Sequence, residues 1–177
     1  MSDTRRRLPS GLAAGDEGMT LIETLAALAL LLVLMAGLMS VATVALKITE
    51  NQGNLAARTT EYAQDKMEQL LALTYGDTIS DTRIFPAGFN GGTGLALGGS
   101  ADPNAPVNGY VDYLDQSGNI LVSNAGPPAT WFYVRVWQIT SPSVNLKQVQ
   151  VTATVRFGFG GSMAPISTVT ALKTWPF

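Results

Sequence analysis

Apolar positions follow three different periods along this chain, and each period predicts a different element. From Thr24 to Leu46, 23 consecutive residues carry no charge: TLAALALLLVLMAGLMSVATVAL. The run holds no proline and is built mostly from Leu, Ala and Met. A helix of that length spans roughly 34 Å, enough for the apolar layer of a bilayer. Over 47–74 the pattern becomes amphipathic. Leu55, Thr59, Tyr62, Leu70 and Leu73, with Ala63 and Met67 beside them, fall near one face. Arg58, Glu61, Asp65 and Glu68 follow the same spacing on another. The first face is expected to pack on a sheet and the second to be a solvated surface. No proline lies between Pro9 and Pro86, so one helix is predicted from about Thr20 to Thr74, stopped by Tyr75-Gly76-Asp77. Gly37 and Gly53 are weak points in it, read as tolerated glycines.

The next stretch changes character. Residues 86–109 hold seven Gly and three Pro in 24 positions, the composition of a long connecting loop. Gly91-Gly92-Thr93-Gly94 is not followed by the Gly-Lys-Ser/Thr of a phosphate loop, and that reading is set aside. Strand patterns then take over. Gly109–Leu114 and Asn119–Ser123 flank Asp115-Gln116-Ser117-Gly118 and predict a hairpin. Asp112 and Asp115 lack the spacing of an EF-hand and are read as turn residues. Trp131–Ile139 suits a central strand whose aromatic side chains serve the core. Gln148–Phe157 alternates strictly: Val149, Val151, Ala153, Val155 and Phe157 are expected to face the helix, and Gln148, Gln150, Thr152, Thr154 and Arg156 to face away. Gly158–Gly161 reads as a turn and Ile166–Thr174 as a last strand. The expected fold class is α+β, one long N-terminal helix packed by its second half on an antiparallel meander.

Composition narrows the chemistry. The 177 residues include no Cys and no His, with 11 Lys and Arg against 13 Asp and Glu. Disulfides, thiol nucleophiles, imidazole ligands and a Ser-His-Asp triad are therefore excluded. No catalytic residue, metal or cofactor is expected. Charged residues make up 14% and mean hydropathy is +0.20, which the uncharged run explains. A net charge near −2 gives no strong footprint for nucleic acid. Five bases after residue 74 (Arg83, Arg135, Lys147, Arg156 and Lys173) are dispersed in sequence. Arg5, Arg6 and Arg7 precede the apolar run, and nothing beyond it is comparably basic. The positive-inside rule then keeps the N-terminus cytoplasmic and sends residues after about 47 outside.

Glu23 sits at the border of the apolar run, where a carboxylate near lipid needs a partner or the interface. Its neighbours are informative. Gly18-Met19-Thr20-Leu21-Ile22-Glu23 followed by the apolar helix resembles the type IV prepilin signature: Gly, a hydrophobic residue, Ser or Thr, two apolar residues, Glu, then an apolar stretch. The resemblance covers about 30 residues. It implies that residues 1–18 form a leader, cut after Gly18 by a prepilin peptidase on the cytoplasmic side. Met19 would become the new N-terminus and be N-methylated; Phe is more usual at that position. Glu23 would pair with the N-terminus of a neighbouring subunit during assembly. Residues 19–46 would serve first as a transmembrane helix and then in the core of a filament. Residues 47–177 would form the extracytoplasmic head: the helix 47–74, the loop 76–109 and the sheet 109–174. A stripe of mostly small side chains, Ala26, Ala29, Val33, Ala36, Ser40 and Thr43, would let helices approach closely.

The function so implied is structural, a minor subunit of a type IV pilus-like filament. Its expected partners are the prepilin peptidase, other pilin or pseudopilin subunits, the inner-membrane assembly platform, and membrane lipid before assembly. Its expected location is the bacterial inner membrane, then a periplasmic or cell-surface filament. Many pilins close a C-terminal loop with a disulfide, which this chain cannot do. The alternatives are a minor pseudopilin of a type II secretion system, a secreted or anchored enzyme, a DNA-uptake subunit, and an ordinary signal peptide cut near Ser40-Val41-Ala42. The apolar core is longer than that of an ordinary signal, and its flank is not basic enough.

Overall fold

The structure, a computed structural model, describes residues 20–78, 93–121, 126–157 and 164–175. One helix, α1 (Leu21–Ala72), precedes six strands. They are β1 (Gly98–Gly99), β2 (Val111–Leu114), β3 (Ile120–Leu121), β4 (Tyr133–Ser143), β5 (Leu146–Val155) and β6 (Ile166–Thr174). The second half of the helix packs on the antiparallel sheet, the expected α+β arrangement. Gly18, Met19, Arg83 and the turn expected at Gly158–Gly161 lie outside the described residues.

The chain divides at Val44/Ala45 into two compact units. In the first, α1 is regular, and every large apolar side chain from Leu21 to Val44 is exposed. The hydroxyls of Thr24 and Thr43 donate to the carbonyls of Leu21 and Ser40, each at 2.8 Å. Both polar groups are thus satisfied inside the helix, which an apolar surrounding requires. Neither Gly37 nor Gly53 interrupts α1, and a β-carbon at either would meet nothing within 4 Å.

In the second unit, the expected face of α1 does pack on the sheet. Thr59, Tyr62, Ala63, Met67, Leu70 and Leu73 are buried, and Leu55 packs against the same core. From the sheet come Leu114, Tyr133, Trp137 and Ile139, with Val149, Val151, Ala153 and Val155 from β5. The opposite face of the sheet carries a smaller cluster around Tyr113, Val134 and Val136. Thr152 lies on that face as expected, yet it is buried and its hydroxyl pairs with Thr168 at 3.1 Å.

Sheet order is β3-β2-β4-β5-β6, with β1 also on β4. Register explains why the loop expected over 86–109 is not wholly a loop. Gly98 and Gly99 pair with Ile139 and Gln138, and Val111 pairs with Val136. Tyr110 accepts from the Trp137 amide, so it takes the place between them. β1 and β2 therefore lie in line along the same side of β4, interrupted by an excursion over 100–109. Tyr110 fastens the excursion: its ring lies on both glycines, and its hydroxyl donates toward the Ala96 and Leu97 carbonyls at 3.2 Å. Gly99, at φ +83°, could carry no side chain, because a β-carbon there would stand 2.2 Å from the Trp137 carbonyl.

One further expectation holds in part, and another needs correction. Phe157 shares a cleft wall with Asn51 and Asn54 of α1, on the helix side as expected, but it is not packed into the core. β5 ends at Val155, and Phe157 lies beyond it, exposed. Strand alternation cannot fix a residue past the last paired position. Asp112 is not a turn residue but lies inside β2, buried, facing α1. Asp115 does hold the hairpin turn, accepting from the Ser117 and Asn119 amides at 2.8 and 2.9 Å.

Candidate functional site

The site expected from sequence is the start of α1. Here Thr20 and Glu23 form a local pair: the Thr20 amide and hydroxyl donate to Glu23 Oε2 at 3.2 and 3.3 Å. A Thr followed three residues later by Glu is the pattern of a capping box, in which the carboxylate reaches back to the first amide of the helix. The exposed carboxylate also lies at the positive end of the helix dipole. Within its own chain Glu23 meets these neutral donors and, among the described residues, no cation. The helix that follows is long and apolar enough to cross a membrane, and its most apolar part is not buried by the rest of the chain.

A second constellation went unread in the sequence. Lys66 of α1 and Arg135 of β4 converge on one oxygen of Asp112 in β2. Lys66 Nζ and Arg135 Nε stand 2.8 and 2.9 Å from Asp112 Oδ2, and all three side chains are at most 2% exposed. Arg135 Nη1 also reaches Asp65 Oδ2 at 2.7 Å and donates to the Tyr62 carbonyl at 3.3 Å. Lys66 Nζ sits 4.0 Å from the centre of the Trp137 ring. Two cations and two carboxylates balance here. Burial pushes the Lys66 ammonium down to about 8, against the opposing pull of Asp112. The charged face is solvated as expected: Arg58 and Glu61 pair on the surface at 3.1 Å, and Asp65, itself 54% exposed, meets Arg135 at the rim of the buried set. The signals were present in sequence: Lys66 falls on the apolar stripe between Ala63 and Leu70, and Asp112 and Arg135 occupy inward positions of their strands.

The other end of α1 is closed by two lysines on adjacent strands. Lys147 and Lys173 are register partners. Lys147 Nζ donates to the Tyr75 and Leu95 carbonyls at 2.8 Å, and Lys173 Nζ donates to the Leu71 and Leu73 carbonyls. Cations belong at this end of a helix, where carbonyls lack partners. Burial lowers the pKa of both, and for Lys173 the neighbouring Lys147 adds to the effect. Of the dispersed bases, Arg135, Lys147 and Lys173 are thus committed to internal acceptors. Arg156 donates to the Ala129 carbonyl at 2.9 Å. Among the described residues, no group of three or more acidic side chains is placed to hold a metal ion.

Compared with protein-family models, curated proteins and solved structures, the chain gives no match in any of the three.

Proposed function

We propose that this chain is a minor structural subunit of a type IV pilus-like filament. A prepilin peptidase would cut after Gly18, and the freed Met19 amine would be methylated. The apolar half of α1 would hold the subunit in the inner membrane, with its N-terminus cytoplasmic. It would then leave the lipid to bundle with other subunits on the assembly platform, giving a periplasmic or cell-surface filament. The observation that carries this reading is the division of α1. One continuous helix offers a wholly exposed apolar half and a second half that forms the spine of a folded head. An uncovered apolar helix surface needs lipid or other helices around it. The prepilin-like run from Gly18 to Glu23 specifies which use of such a helix is meant.

Glu23 supplies the test. Its carboxylate caps α1, so a simple truncation would confuse capping with charge. Gln keeps the capping acceptor and loses the charge. Glu23→Gln should therefore leave membrane insertion intact and abolish recovery of the protein in sheared filaments. Normal incorporation of Glu23→Gln would remove the assembly role. N-terminal mass spectrometry of the mature protein should begin at Met19. A start at Thr43 would instead point to an ordinary signal peptide.

A further inference from the structure

We propose that the cleft between α1 and the hairpin end of the sheet binds a neutral carbohydrate chain. The cleft has a volume of about 470 Å³, and its walls include Asn51, Asn54, Arg58, Gln116, Phe132 and Phe157. That volume falls in the range of small-ligand sites. Three features of the lining suit a sugar.

The first is an aromatic ring that is exposed and yet held. Phe157 is 64% exposed. Arg156 fixes it: the guanidinium carbon lies 5.0 Å from the centre of the Phe157 ring and 5.1 Å from that of Trp131. The same side chain is tied to the Ala129 carbonyl, and the Arg156 amide donates to the Phe132 carbonyl at 2.8 Å. Other large apolar side chains of the head are as exposed, Val144 and Leu172 included, but of the described residues Phe157 is the one held beside a stacked cation on a cleft wall. Its π face is electron-rich, and the weakly positive axial C–H groups of a pyranose fit such a face.

The second feature is a set of uncommitted carboxamides. Among the described residues, no hydrogen bond engages the side chains of Asn51, Asn54 or Gln116. Each amide offers donors and an acceptor together. Vicinal hydroxyls do the same, so amide and sugar can exchange bonds in both directions. The third feature is charge. Arg58, the charged member of the wall, is already paired with Glu61. With that charge paired, and with Leu55 and Tyr133 completing the lining, the wall is a mixture of polar and apolar groups.

This inference stands apart from the filament reading, since it concerns the isolated subunit. The full chain, in a zwitterionic detergent without a sugar headgroup, is titrated with maltotriose and with fully N-acetylated chitotriose. Ligand-observed saturation-transfer NMR reads the contact. At least one trisaccharide should receive saturation on its ring C–H protons, with an affinity in the millimolar range or tighter. Phe157→Ala, and separately the pair Asn54→Ala with Gln116→Ala, should weaken that affinity about tenfold or more. Phe157→Tyr should retain it. These side chains are outside the core, and matching thermal unfolding of the variants confirms that the fold is kept. Transfer to neither saccharide overturns the proposal, as does transfer that Phe157→Ala leaves unchanged. Binding of an uncharged tripeptide in place of the saccharides overturns it too.

Discussion

Asp112 is the residue on which the head's interior charge depends. It is the buried carboxylate that faces both Lys66 and Arg135, and both cations use the same oxygen. Removing one partner of a buried set costs far more than the set contributes, because the remaining charge stays desolvated. Asp112→Ala should therefore destabilise the head by about 3–5 kcal/mol. Lys66→Met leaves Asp112 paired with Arg135 and keeps an apolar stem against Trp137; it should cost about 1 kcal/mol or less. Urea unfolding of the two variants checks the order, and equal losses would contradict the account. A pH dependence follows with a definite sign. Lys66 is lowered to about 8 in the folded head against 10.5 when free. Between those values the unfolded chain binds more protons, so this group makes stability rise with pH across that window. Lys147 and Lys173 act in the same direction. Tyr62, Tyr113 and Tyr133, raised above 10.0 by burial, act oppositely at the top of the range. The urea midpoint should climb from about pH 8 to about pH 10 and then fall; Lys66→Met should flatten the climb.

Elements with a sustained period were legible, and interruptions of period were not. α1 was bounded within two residues because apolar spacing, glycine and the absence of proline agree there. β5 was read almost side chain by side chain, since Val149 to Val155 alternate through a full strand. β1 was missed because Gly98-Gly99 has no side chains to alternate, and its partner Tyr110 lies beyond a ten-residue excursion. Sequence pattern sees neighbours in the chain, whereas β4 supplies the continuity of β1 and β2 in space. The buried charges were missed because Lys66, Asp112 and Arg135 contradict the pattern at single positions, and only their meeting makes each tolerable. At the start of α1, Glu23 is legible by its place before the apolar run, whereas its capping contact with Thr20 shows only in the folded helix. The two kinds of glycine can be separated by experiment. Gly53→Ala adds a methyl in open space on a regular helix and should raise stability by about 0.5–1 kcal/mol. Gly99→Ala puts a β-carbon into the Trp137 carbonyl at positive φ, and should cost about 1–3 kcal/mol or more. Thermal unfolding reads both, and a loss at Gly53 would show that its openness in the single chain is misleading.

At the scale of the whole molecule, the two units differ in what they ask of their surroundings. The core begins at Leu55 and closes within the second unit; no residue from Leu21 to Val44 enters it. The first unit therefore adds apolar surface without adding packing within the chain, and water is the wrong solvent for that surface. Both helix halves share one backbone, so the question is whether the head needs the first half to fold. Its charges argue that it does not. Lys66 and Arg135 are neutralised from within the second unit, and Lys147 with Lys173 close the C-terminal end of α1 from β5 and β6. What would be lost at a new start is the early part of the helix, where Ala45 to Asn54 has little packing to hold it and should fray. A chain starting at Ala45 should accordingly be soluble without detergent and unfold in one cooperative transition. Its midpoint should lie within a few degrees of that of the full chain, and the two proteins should share their response to Asp112→Ala. Circular dichroism and sedimentation in plain buffer measure both properties. An aggregated or non-cooperative product would mean that the apolar half supports the head as well as anchoring it, and the division at Val44/Ala45 would then not be a division in stability.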